Sequence, residues 1–138
     1  MAAEYKERGI RFLYPENWQI ASDKTAGWPH CVSVHSPSGA FWSLTLDSHP
    51  SEDLFERVLS AVSAEYEEVE QSQVERQIGD QTLNGVELHF YCLDFLVVAQ
   101  VLQCPSDLGP MVLLLQAESR EFESLGQVFD AMYLSLGS

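Results

Sequence analysis

Apolar and polar residues alternate from the start of the chain: Ile10, Phe12 and Tyr14 share one face, Arg11 and Leu13 the other, the period of two that a pleated strand imposes. Pro15 has no backbone N–H and ends the ladder. The chain is expected to bend through Pro15-Glu16-Asn17 before Trp18 and Ile20 turn inward again. Residues 21–30, "ASDKTAGWPH", have loop composition. Cys31 to His35 and Ala40 to Asp47 then read as a hairpin turning at "SPSG", with Val32, Val34, Trp42, Leu44 and Leu46 all at inward positions. From residue 51 the period lengthens. Leu54, Phe55, Val58, Leu59, Val62 and Tyr66 recur at helical spacing, with Glu52, Asp53, Glu56 and Arg57 on the other side. Pro50 and its flanking serines supply the start signal.

Glu68 to Gln77 and Val86 to Leu93 read as strands separated by the turn residues "GDQTLNG", followed by strands at Phe95 to Cys104 and Met111 to Ala117. Leu96 to Ala99 with Val101 and Leu102, and Met111 to Leu115, are apolar at both parities, as in strands buried on two faces. A second covering layer is available at the C-terminus, where Phe122, Leu125, Val128, Phe129, Met132 and Tyr133 recur at helical spacing after Ser119, the expected N-cap. The pattern predicts one α+β domain over residues 1–138. Its expected architecture is a three-layer α/β/α sandwich, with a central, mostly antiparallel sheet of about seven strands and two main helices.

Length and composition agree with this. A chain of 138 residues can bury roughly 68% of its unfolded surface, and 46% hydrophobic with 20% charged residues is globular composition. The formal charge of −14, from 21 acidic and 7 basic residues, repels phosphate backbones and anionic headgroups, so nucleic acid and membrane surfaces are not expected partners. The first residues, "MAAEYKERG", lack the apolar segment of a signal peptide, and the uncharged stretch 95–106 is too short and too rich in glutamine to span a bilayer. A cytoplasmic location is expected. Cys31, Cys92 and Cys104 match no disulfide framework or zinc knuckle, so free thiols are the expectation, with a Cys92–Cys104 bridge across a hairpin the alternative.

No G-x-S-x-G elbow, P-loop or G-x-G-x-x-G is present, so acyl transfer, nucleotide hydrolysis and dinucleotide binding lack their usual supports. Cys31 and His35, four apart on a strand, face the same way beside His30, but a fourth metal ligand is missing, and His89 and Cys92 face opposite ways. No metal or cofactor is expected. The carboxylates Glu65, Glu67, Glu68 and Glu70 form an acidic edge. Glu65 and Glu67 fall near the negative end of the first helix, where the dipole disfavours them by a few tenths of a kcal/mol, so the cluster suits a basic patch on another protein. Trp18 and Trp42 have inward parity and are assigned to packing. Trp28 sits in a Gly/Pro loop with no periodicity to bury it, so packing and binding both stay open there.

The "GIRFLYPENW" opening, with Phe12, Tyr14, Pro15 and Trp18, the "NGVELHFY" strand at 84–91, and the order of elements resemble the PsbP/Mog-type superfamily. The resemblance implies a non-enzymatic adaptor: members include an extrinsic photosystem subunit, a nuclear import factor that binds a small GTPase, and bacterial chaperones for secreted effectors. The lack of a leader segment argues against a lumenal photosystem role. The expected function is therefore a protein-binding adaptor or chaperone. Its expected partner face combines the 23–30 loop around Trp28 with nearby sheet surface, and the candidate partner-binding residues are Trp28, His30, Glu65, Glu67, Glu68 and Glu70. Two alternatives stand beside it: an acidic secretion-effector chaperone, and a small-molecule binder or enzyme with a cleft near His30, His35 and Glu87.

Overall fold

The computed structural model describes residues 2–22, 29–47 and 53–136. The chain opens with a hairpin of β1 (Ala2–Glu7) and β2 (Ile10–Pro15), reversed by the two-residue turn Arg8-Gly9, both at positive φ. A tight turn follows, with the Trp18 N–H donating to the Pro15 carbonyl at 3.0 Å, and leads into β3 (Gln19–Ser22). Then come β4 (His30–His35), β5 (Phe41–Leu46), α1 (Leu54–Ala64), β6 (Glu70–Ile78), β7 (Gln81–Cys92), β8 (Phe95–Cys104), β9 (Met111–Glu118), α2 (Ser119–Phe122) and α3 (Gly126–Leu134). Seven strands form one sheet in the order β3-β4-β5-β9-β8-β7-β6, antiparallel at every pairing. The fold is α+β: a seven-stranded antiparallel sheet, a two-stranded sheet and three helices.

The apolar residues of the central strands divide between two clusters by parity. On one face Leu88, Phe90, Ala99, Val101, Val112 and Leu114 meet Leu54, Phe55, Val58, Leu59 and Val62 of α1. On the other, Leu83, Leu102, Leu113 and Leu115 meet Phe129 and Met132 of α3 and Ile10 and Phe12 of the hairpin. Successive β8 and β9 side chains therefore belong to different cores, which is why neither strand alternates in sequence. Val32, Val34, Trp42, Leu44 and Leu46 are all fully buried, as their parity requires. The Trp42 ring lies 4.7 Å from that of Phe12, and its Nε1 has no hydrogen-bond partner among the described residues. Polar ties fix the helices. Arg57 of α1 reaches Asp47, just after β5, at 3.2 Å, and Tyr133 of α3 donates to Gln81 at 2.7 Å.

Several elements differ from the sequence pattern. The polar N-terminus forms a strand, β1, whose only inward anchor is the buried Tyr5, and β2 pairs with it rather than with the main sheet. Ile20 is exposed because β3 is the outermost strand of its sheet and the inward turn is taken by Trp18. The turn expected over 79–85 is only Gly79-Asp80, and residues 81–85 extend β7. The closing helix is two, and Ser119 is the first residue of α2 rather than its cap. The break falls over residues 123–125, and Gly126, the first residue of α3, accepts from Arg76 of β6 at its carbonyl at 3.4 Å. The start signal around Pro50 lies outside the described residues.

Two substitutions test this packing. Trp18 is buried with its ring edge-on to Phe129 at 6.2 Å, so Trp18→Ala is expected to cost about 3–5 kcal/mol in denaturant unfolding. A Cβ at Gly85 would stand 1.9 Å from the Val101 carbonyl oxygen, a backbone atom of the adjacent strand. Gly85→Ala is expected to lose about 3 kcal/mol or more in the same assay, since the strands themselves must part.

Candidate functional site

The acidic run after α1 is held by two apolar anchors within it. Tyr66 stacks on the buried Phe90 ring of β7, centroids 3.8 Å apart, and Val69 packs into the same cluster as α1. These anchors lay the connection across the end of the sheet, so that Glu67, Glu68 and Glu70 line a cleft of about 540 Å³ with His89, Phe90, Tyr91 and Leu96. Glu70 sits directly opposite His89 in the β6–β7 register. Three of the four carboxylates singled out in the sequence are thus brought together. Glu65 is not in the cleft: it is the C-terminal cap of α1.

Beside the cleft projects the tip of the β7–β8 hairpin. Cys92 and Phe95 pair across the two-residue turn Leu93-Asp94, and both turn residues adopt left-handed backbone, φ 50° and 71°. Turns of this geometry favour Asn-Gly, because a Cβ is strained there. Leu93 gains nothing from packing in return, being 88% exposed, and Tyr91 and Phe95 beside it are 70% and 52% exposed. An apolar tip next to carboxylates is thus maintained against both turn preference and hydration. The sequence offers no local signal for this tip, since Tyr91, Leu93 and Phe95 alternate there as they would in a half-buried strand.

On the α3 face of the sheet a polar chain runs inward from the cleft. His89 Nε2 lies 2.9 Å from Glu87, and Gln100 donates to the other Glu87 oxygen at 2.9 Å. Arg76 donates to Gln100 at 3.3 Å and to Asp130 of α3 at 2.8 Å. Burial pushes the Glu87 carboxyl up, but the bonds from Gln100 and His89 and the charge of Arg76 outweigh it and hold the group below its ordinary value of 4.5. Glu87 is therefore a fixed anion and not a proton donor near neutral pH.

The remaining candidates lie elsewhere. His30 is 1% exposed, with Nε2 2.7 Å from the Tyr5 hydroxyl, so its side chain is a core group and offers no surface to a partner. Tyr5 also reaches Ser22 at 3.2 Å, and burial raises its phenol above 10.0 despite that bond. His35, at the other end of β4, lies 3.2 Å from Ser33. His30 and His35 are separated from Glu87 by β5, β9 and β8, about 19 Å at the usual strand spacing, so these three residues do not line one cleft. Trp28 lies outside the described residues. Among the described residues no three His, Cys, Asp or Glu side chains are grouped to hold a metal ion. Cys92 and Cys104 sit at opposite ends of the β7–β8 and β8–β9 ladders and cannot bridge, and all three cysteines are free. Burial pushes the Cys104 thiol up to about 12, which removes it as a nucleophile at neutral pH.

Comparison with known proteins adds the fold. No family model matches the chain. No curated protein matches it either. Among solved structures, the chain is similar to the cyanobacterial PsbP (CyanoP) of Synechocystis sp. PCC 6803, at TM-score 0.57 and 16% identity, over 98% of this chain and 91% of that one. The chain has a PsbP-like fold. Another PsbP-like neighbour is a protein of unknown function, PA94, from Pseudomonas aeruginosa, at TM-score 0.50 and 9% identity, over 99% and 96% of the two chains. At such identities the PsbP-like likeness concerns the path of the backbone and leaves the side chains of the cleft to speak for themselves. Among the described residues no helix is long and apolar enough to cross a membrane.

The depressed Glu87 carboxyl has a consequence for stability. A group whose folded pKa lies below its unfolded one stabilises the fold above the unfolded value, and that contribution is lost as pH falls through the folded one. Glu87→Gln is accordingly expected to be less stable than the native chain at neutral pH, with the gap closing below 4.5. Urea unfolding across pH checks this: a gap independent of pH would mean that the Glu87 charge does not matter.

Proposed function

We propose that this protein is a non-enzymatic binding module for another protein, an adaptor or chaperone, and that its recognition face is the acidic cleft and hairpin tip at the β7–β8 end of the sheet. The observation that carries the reading is the exposure of Leu93, on a turn strained by its own residues, and of Tyr91 and Phe95 in the strands flanking it, near Glu67, Glu68 and Glu70. Exposed aromatic and aliphatic side chains at a rigid tip are typical anchors for a partner, and the carboxylates select the sign of its charge. The ligand that fits is a segment with Lys or Arg next to an aromatic or aliphatic residue. The overall charge of −14 extends the same field beyond the cleft and speeds encounter with such a segment.

The fold is consistent with this reading. The apolar clusters on the two faces of the main sheet, one under α1 and one under α3 and the hairpin, support a three-layer α/β/α sandwich, which presents its strand ends and loops as fixed platforms. The polar chain from His89 to Asp130 braces β6, β7 and β8 against α3 behind the cleft.

The test separates recognition from stability. Replacing Leu93-Asp94 with Asn-Gly suits the left-handed turn and is expected to stabilise the fold by about 1 kcal/mol while removing Leu93, the most exposed of the three anchors. A displayed library of short random peptides, selected on the native chain, is expected to enrich sequences combining basic and aromatic residues. Those peptides should bind the Asn-Gly variant and a Glu67→Gln, Glu68→Gln, Glu70→Gln variant at least tenfold more weakly, and bind the native chain more weakly as salt rises. Selection of peptides without basic residues, or equal binding by both variants, refutes the assignment of this face.

A further inference from the structure

The two edges of the main sheet are unequal. β3, at one edge, is four residues long, too short to template much pairing. β6, at the other, runs nine residues with an unbroken register against β7 from Glu70–His89 to Ile78–Gln81. It contains no proline, no bulge and no lysine, the usual means of blunting an edge. Its one inward charge, Arg76, is turned onto the α3 face and neutralised by Asp130, so it does not guard the edge. Among the described residues no other strand pairs with its outer side.

The register dictates which backbone groups are free. Ile78 and Gln81 flank the two-residue turn Gly79-Asp80 and exchange both their bonds, so the even-numbered residues of β6 bond to β7. The N–H and C=O groups of Gln71, Gln73, Glu75 and Gln77 therefore point outward.

We infer that two copies of this chain pair through β6, antiparallel about a two-fold axis at Gln73, to join two sheets into one. The sequence of the strand, "EQSQVERQI", is self-complementary in that register. Gln73 meets Gln73 of the second copy, Gln71 meets Glu75, Ser72 meets Val74, and Glu70 meets Arg76, so that no like charges face each other. The outward residues Gln71, Gln73 and Glu75 fall at the hydrogen-bonded positions of the new ladder, as the pairing requires. Other two-fold registers are worse. Centred on Glu75, that carboxylate faces its own copy, and centred on Gln71, Glu67 faces Glu75. This surface shares Glu70 with the acidic cleft but no residue with the hairpin tip, and the inference stands whether or not that tip binds a partner.

Sedimentation velocity of the purified chain across micromolar to millimolar concentration tests it. The expected result is a reversible dimer that tightens when salt is added, because screening relieves the repulsion between two chains of charge −14. Gln73→Pro removes an outward N–H at an edge position where proline is tolerated, and Gln73→Lys opposes two ammonium groups at the axis. Both variants are expected to sediment as monomers with unchanged circular dichroism, and if the proline variant fails to fold the lysine variant gives the answer. A native chain that stays monomeric over the whole range, or a dimer that either folded variant retains at native affinity, overturns the inference.

Discussion

Everything in this structure depends on β8 and β9 being apolar on both faces. Strands of this kind cannot face water on either side, so each face of the sheet must acquire its own cover, and the chain supplies two. α1 lies over Ala99, Val101, Val112 and Leu114; α3 and the N-terminal hairpin lie over Leu102, Leu113 and Leu115. The order of the sheet follows from the same demand. The most apolar strands take the centre, the half-polar β4 and β7 flank the central strands, and the polar β3 and β6 fall at the edges, where one side meets solvent.

Burying a sheet on two sides leaves its polar residues few exits, and the α3 face shows how they are accommodated. Gln100 is buried in the middle of β8 but bonds to Glu87 on one side and Arg76 on the other, while Asp130 and the Gly126 carbonyl complete the arginine. Each member has a partner, which is the condition under which buried polar groups rigidify a fold instead of weakening it. The chain of contacts also ties the start of α3 to β6, since the Arg76 guanidinium reaches the Gly126 carbonyl. A core requirement thus fixes the end of the sheet where the acidic cleft and the hairpin tip are displayed.

Much of this was legible in the order of residues. Burial on two faces was readable in β8 and β9, the period of two in β4 and β5, the period of 3.6 in α1, and the bend at Pro15 before a buried Trp18, because each reports a local alternation that the backbone geometry converts directly into a face. The opening stretch with its proline and tryptophan proves to be a hairpin strand, a tight turn and a core aromatic. β1 was not legible, since a polar strand with one buried tyrosine has no period to read. The candidate site was legible in part: the acidic run is visible as composition, but His30 looks as available in sequence as Glu67.

By itself, then, the sequence determined the fold class, most of the elements and most of their inward faces, all of which depend on interactions a few residues long. The tertiary structure alone decided which strands are neighbours, and so which side chains meet. It placed Glu70 opposite His89, set His30 four strands away from Glu87, buried His30 against Tyr5, and left Leu93 exposed on a turn that does not favour it. Such meetings depend on pairings between residues distant along the chain, where a shift of two positions keeps every hydrophobic face inward and changes every polar contact.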